Sequence, residues 1–140
     1  MYKILVPIDG SKNALRAVAH AAALVRGHPK GIIHLVNVQP ALPGAVTTFV
    51  GKGMVDRFHR EEAAKALAAA QRLLDKAGVA YKAHVGIGAP GAAIATFVEK
   101  LDCDQVVMGT RGLGAALGLV LGSVANAVVY RVRVPVTLVK

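Results

Sequence analysis

Between Gly109 and Ser123 the chain concentrates glycine, with Gly109, Gly112, Gly114, Gly118 and Gly122 in one short stretch. Glycine lets backbone come close against a ligand and turn its N–H groups inward. A helix expected from Gly122 to about Tyr130 adds unpaired N–H donors and a partial positive charge at its start, with Ser123 as its N-cap. Phosphate is the natural guest of such a segment. Glycines can also serve tight turns alone, but their density here favours a binding loop. Arg111 adds a cation, whose guanidinium either reaches phosphate or points to water. Asp9 is the second candidate. As an acceptor it suits a hydroxyl-bearing ligand, or it helps cap the next helix, although Ser11 is better placed for that; the residues alone leave the two roles even.

Other chemistries fit less well. G-x-x-x-x-G-K-[ST] is absent, which excludes a P-loop enzyme. Gly112-Leu113-Gly114 followed by Gly118 mimics a dinucleotide fingerprint, but no acidic residue follows Asp104 to hold a ribose, and the segment does not follow the first strand. Phosphoryl transfer needs a positioned nucleophile and a cation on the transferred group, and the phosphate-side segment has no carboxylate and no lysine until Lys140. His20, His28, His34, His59 and His84 show no metal-ligand spacing. Cys103 lies between Asp102 and Asp104, which disfavour a thiolate.

These residues have to be positioned by an ordered frame. Lys3–Ile8 is a short apolar run that reads as a buried strand, and Ser11 caps a helix from about Lys12 to Arg26 with Leu15, Val18, Ala22 and Val25 on one stripe. Gly31–Val38 is a second strand. Residues 39–53, with Pro40, Pro43, Gly44, Gly51 and Gly53, read as a long loop. A long helix over about Val55–Ala77 carries the stripe Phe58, Ala63, Ala66, Leu67, Ala70, Leu73, Leu74 and Ala77, with Glu61 and Lys65 paired four apart. Ala80–Ile87 alternates as an edge strand does. Pro90 opens a helix to about Lys100, Gln105–Met108 is a fourth strand, and Pro135–Val139 a fifth.

Strand and helix alternate five times, which predicts an α/β fold: one domain over 1–140, a doubly wound five-stranded parallel sheet of order 3-2-1-4-5 with helices on both faces. In that order the winding reverses between strands one and four. Pro7 and Asp9 then converge with Gly109 on one crevice. The fifth strand forms the other edge, and Val134–Val139 carries no charge to protect it, so a homodimer paired through this strand is expected.

The 140 residues are 54% apolar with a formal charge of +9 and one cysteine. That composition excludes a disordered chain and a disulfide framework. No apolar run reaches the roughly 18 to 20 residues of a membrane span, and the N-terminus does not look like a signal peptide, so a cytoplasmic location is expected. The basic residues are dispersed and there is no Trp, which argues for a small anionic ligand before nucleic acid.

The spacing Gly109-x2-Gly112-x9-Gly122-Ser123 matches the G-x2-G-x9-G-S/T signature of ATP-binding universal stress proteins. The resemblance runs from the opening KILVPIDGS, through the Gly88-Ala89-Pro90 that starts a helix, to the closing GSVANAVVYRVRVPVTLVK. It implies that Asp9 accepts hydrogen bonds from ribose hydroxyls, that Pro7 lines the nucleoside pocket and that the Val38 backbone meets adenine. Gly109, Gly112, Gly122, Ser123 and Val124 would surround ribose and phosphates, with Thr110, Arg111, Leu113, Gly114 and Ala115 completing the loop wall. Ala125 lacks the hydroxyl that some relatives offer to phosphate at that position. The function implied is ATP binding, with Mg²⁺ carried on the phosphates, by a stress-response regulator or chaperone-like partner with slow or no hydrolysis. A binder of AMP or a cyclic nucleotide, or a module that binds no nucleotide, are the alternatives. The family's frequent dimerisation through the last strand agrees with the exposed edge.

Overall fold

The computed structural model describes residues 1–111 and 121–140. Five strands, β1 (Lys3–Pro7), β2 (Ile32–Gln39), β3 (Tyr81–Ile87), β4 (Gln105–Gly109) and β5 (Val136–Val139), form one parallel sheet of order β3-β2-β1-β4-β5. The helices are α1 (Lys12–Val25), α2 (Gly44–Val50), α3 (Lys52–Ala77), α4 (Pro90–Lys100) and α5 (Ser123–Arg131). The expected order and winding are those observed.

Apolar residues on the two faces of the sheet build two cores. Ile4, Val6, Ile33, Leu35 and Val107 pack with Ala17, Val18, Ala21 and Val25 of α1 and with Leu67, Ala70 and Leu74 of α3. Leu5, Val36, Val106 and Met108 pack with Ile94 and Val98 of α4 and with Ala125 and Val128 of α5. Strands buried on both faces need continuous apolar runs, which β1, β2 and β4 have.

Three local expectations are corrected. Residues 39–53 are not a continuous loop but contain the last residue of β2, all of α2 and the first two residues of α3. Pro43 sets the entry, with φ −54°, and its carbonyl accepts from the amides of Val46 and Thr47. Gly51, at φ +88°, turns the chain from one helix into the next. Prolines and glycines therefore mark the ends of short helices here. On α3 the inward stripe includes Val55 and His59, while Phe58 is 44% exposed. Lys65 pairs with Glu62 at 3.2 Å rather than with Glu61.

β3 is an edge strand as expected, with Val85 and Ile87 exposed and His84 and Gly86 turned inward. A Cβ on Gly86 would lie 2.9 Å from Phe97 Cε2, so the missing side chain lets Phe97 of α4 lie against the strand. His34 Nδ1 and His84 Nε2 stand 2.9 Å apart across β2 and β3. Burial, then the neighbouring charges of His84, Lys3 and Lys82, push the His34 pKa down to about 4.

The end of α4 carries a small strain. Asp102 N–H donates to Glu99 O at 3.1 Å and Cys103 N–H to Val98 O at 3.0 Å, the double bond pattern of a Schellman cap. The residue in the left-handed position of that cap, where glycine is usual, is Asp102 at φ +53°. Asp102→Gly is expected to raise unfolding stability by about 0.5–1 kcal/mol, because it relieves the Cβ–carbonyl crowding of that conformation. A urea midpoint unchanged or lowered in the variant would show that the strain is not there to relieve.

Candidate functional site

The chain leaves β1 through Pro7, Ile8 and Asp9, and buried side chains fix the path. Ile8 N–H donates to Val36 O at 2.8 Å, while Asn37, only 3% exposed, donates from Nδ2 to Ile8 O at 2.7 Å. Gln39 in turn donates to Asn37 Oδ1 at 2.6 Å. Asp9 is exposed, and its Oδ1 accepts from Ser11 N–H at 2.9 Å. Ser11 Oγ accepts from Ala14 N–H at 3.1 Å, so the cap of α1 is Ser11 and Asp9 shapes the turn before it. Gly10, at φ +86°, passes 3.6 Å from Ala66 Cα by the position a Cβ would take. Val38, half-buried, lies one residue from the end of β2.

β4 runs beside β1 in register, Leu5 opposite Val106, so both exits open at the same end of the sheet. A Cβ on Gly109 would run into the amide of Asn13, with Asn13 Cγ 2.6 Å away. Asn13 is 7% exposed and uses both ends of its amide: Oδ1 accepts from Arg111 N–H and Nδ2 donates to Val139 O, each at 2.9 Å. Thr110 N–H donates to the same Val139 carbonyl at 3.0 Å, and Thr110 O accepts from Gly122 N–H at 2.8 Å. The start of α5 is thereby clamped to the end of β4. A Cβ on Gly122 would lie 2.9 Å from Thr110 O, which explains the glycine at that position without invoking a ligand.

Gly122, not Ser123, occupies the N-cap position of α5, with no side-chain capping bond. Ser123 is the first helical residue and is exposed. Asn126 N–H donates to Gly122 O at 3.0 Å; the amides of Ser123, Val124 and Ala125 before it have no carbonyl behind them in the helix. The Ala125 side chain, 2% exposed, belongs to the core, and Val124 packs against the same cluster. Only the backbone of Ala125 can meet a ligand.

The structure thus brings Pro7, Asp9, Gly109, Thr110, Arg111, Gly122 and Ser123 to the same end of the sheet, with Val38 near the end of the adjacent strand. Gly112, Leu113, Gly114 and Ala115 lie outside the described residues. Asn13 and Asn37 were not singled out by sequence. Their signal was a polar residue at an inward position, Asn13 sharing the α1 face of Ala17 and Ala21, and Asn37 standing inside an apolar strand. No group of three or more His, Cys, Asp or Glu side chains that would hold a metal ion is found among the described residues. Cys103 is held unreactive: burial first, with Asp104 and Asp102 adding to it against Lys3, pushes its pKa up to about 11.

Comparison with known proteins gives concordant matches. The model of the universal stress protein family matches residues 1–140. A universal stress protein of Methanocaldococcus jannaschii is 32% identical, over 99% of this chain and 81% of its own. One from Thermus aquaticus is 33% identical over the whole of both chains. Among solved structures, one described as a hypothetical protein whose biochemical function was assigned from its structure has a TM-score of 0.86 at 26% identity, covering 99% of this chain and 95% of that one. Three structures share the fold and hold adenine nucleotides. They are an Archaeoglobus fulgidus protein with dAMP (TM-score 0.71, 23% identity, 100% and 98% covered), an Arabidopsis thaliana protein with AMP (0.72, 21%, 100% and 92%) and a universal stress protein with cAMP (0.76, 24%, 99% and 97%).

Proposed function

The chain belongs to the universal stress protein family, and from that premise we propose that it binds ATP, with Mg²⁺ carried on the phosphates, and acts as a nucleotide-dependent stress-response regulator or chaperone-like partner. The observation that carries this is the Gly122–Thr110 clamp. It sets the amides of Ser123, Val124 and Ala125, which have no carbonyl behind them in the helix, at the exit of β4, beside the strand that leads to Asp9. Open α/β sheets bind ligands at this point, where the winding reverses. Asp9 would take the ribose hydroxyls, Pro7 and Val38 the base, and Gly109 to Ala115 with Gly122 to Ala125 the ribose and phosphates. With Asp9 as the one carboxylate at these exits, Mg²⁺ would keep water in most of its shell. Hydrolysis would be slow or absent, for want of a carboxylate base on the phosphate-side segment 109–125.

Mass spectrometry of ligand released on denaturing the purified protein, with calorimetry of ATP and Mg²⁺ on the emptied protein, tests this. ATP released, or bound at micromolar affinity, is the expected result; a protein that neither carries nor binds an adenine nucleotide would sink the proposal. AMP or a cyclic nucleotide is the second candidate, favoured by the AMP, dAMP and cAMP complexes of its structural relatives.

No helix among the described residues is long and apolar enough to cross a membrane, and we place the protein in the cytoplasm as one domain over 1–140. Among the described residues β5 pairs with β4 on one side only, and Leu138 is 38% exposed. We propose a homodimer in which this edge, 134–139, pairs with its symmetry copy. Light scattering should give twice the 14.5 kDa chain mass, reduced to one chain by Val136→Lys with Leu138→Lys. A native protein that runs as a monomer at micromolar concentration would refute it.

A further inference from the structure

Granted the nucleotide site proposed above, we propose that Lys12, Arg16, Arg111 and Lys140 form a cationic shelf at its phosphate end, through which the site selects adenine nucleotides by phosphate count. A run of short bonds ties these residues to the start of α5. Gly122 N–H meets Thr110 O, and Thr110 N–H and Asn13 Nδ2 share Val139 O. Asn13 Oδ1 holds Arg111 N–H at 2.9 Å, and Arg16 Nε donates to the backbone oxygen of Lys140 at 2.8 Å. The exits of β4 and β5 and the first turns of α1 therefore stand together. Each of the four basic residues on them is exposed.

Little opposes their charge. Among the described residues the single side-chain ion pair is Lys65 with Glu62, so no side-chain carboxylate in that set pairs with any of the four. Asp9 is the one acidic residue in 8–16, 109–111 and 136–140, and its place in the proposed site is at the ribose. Arg16 spends only its Nε on Lys140 O, which leaves the terminal amino groups of the guanidinium for an anion. AMP places its phosphate at the α5 amides, where the shelf adds little. In the Mg²⁺-free nucleotide each further phosphate adds a negative charge for the cations beside the α5 amides to meet. Exposed charge pairs are individually weak, so several acting together would give a gain of roughly three- to tenfold per added phosphate at low salt. Salt should erase most of it.

Calorimetry with AMP, ADP and ATP is the test, run without Mg²⁺ to read the charge ladder and with it to establish binding, in about 50 mM and about 300 mM salt, on either side of a Debye length near 10 Å. The native protein is expected to bind ATP at least about tenfold more tightly than AMP in the lower salt. Lys12→Gln, Arg16→Gln and Lys140→Gln combined should compress that ratio to within about threefold and leave AMP affinity within about twofold. Arg16→Lys, which keeps the charge, should retain the ladder; its loss there would assign Arg16 to holding Lys140 and not to the ligand. A flat ladder in the native protein, or an intact one in the triple variant, with AMP still bound, would overturn the shelf and leave the nucleotide site standing. Failure to bind any of the three would overturn the site itself.

Discussion

Gly122→Val is expected to lower ATP affinity at least about a hundredfold while the sheet stays folded. Its Cβ would sit 2.9 Å from Thr110 O and 3.5 Å from Arg111 Cα, both backbone atoms with no rotamer by which to yield. The Gly122 N–H to Thr110 O bond must then lengthen, and the start of α5 moves off the end of β4. Amide-to-phosphate bonds are charge-assisted and worth about 1.5–3 kcal/mol each. Misplacing two of them suffices for the loss, since each 1.4 kcal/mol is a factor of about ten. The clamp lies at the rim of the sheet, so circular dichroism should be native and melting only a few degrees lower. Calorimetric affinity within threefold of native would show that α5 does not hold the phosphates.

Gly109→Ala should act on the fold instead. The added methyl enters the space of the Asn13 amide, and the backbone carbonyl carbon of Asn13 is only 3.3 Å away, so side-chain rotation alone does not clear it. Turning Asn13 aside breaks its bonds to Arg111 N–H and Val139 O; Val139 O keeps Thr110 N–H, but the Asn13 amide and Arg111 N–H lose their partners at about 1–3 kcal/mol each. A loss of about 3–5 kcal/mol is expected, a large part of the 5–15 kcal/mol that holds a typical domain. Asn13→Ala should rescue part of it, because it removes the obstacle, and the two substitutions together should cost less than their sum. Strictly additive urea-unfolding energies would mean that Gly109 and Asn13 do not share this space.

The frame was legible because its signals are strong and redundant. Apolar runs, capping Ser11, Pro90 at a helix start and Gly78 at a helix end all agree, and strand alternation with helices leaves few topologies. Gly109 and Gly122 stood out as candidate site residues from glycine chemistry and spacing, and Asp9 from its place at the end of the first strand and from the family resemblance. The reason for those two glycines was not legible. Gly109 yields to Asn13 and Gly122 to Thr110, contacts between residues far apart in the chain that no local pattern carries. The segment 39–53 misled because proline and glycine mark helix ends as well as loops. Phe58 misled because hydrophobicity predicts burial in one direction only, and His59 took the inward position through a 3.0 Å contact of its Nε2 with Pro40 O.

The Thr110–Gly122 bond also bears on how this site can be altered. The segment between those two residues starts and finishes at one hydrogen bond, and the frame on either side is held by bonds of its own. Closure entropy grows only slowly with length, about 0.6 kcal/mol for each doubling. Residues inserted between Arg111 and Leu121 would therefore cost the folded sheet little. The position is a graft point: new specificity can be introduced there by exchanging a cassette, with Asn13, Thr110 and Gly122 as the fixed socket.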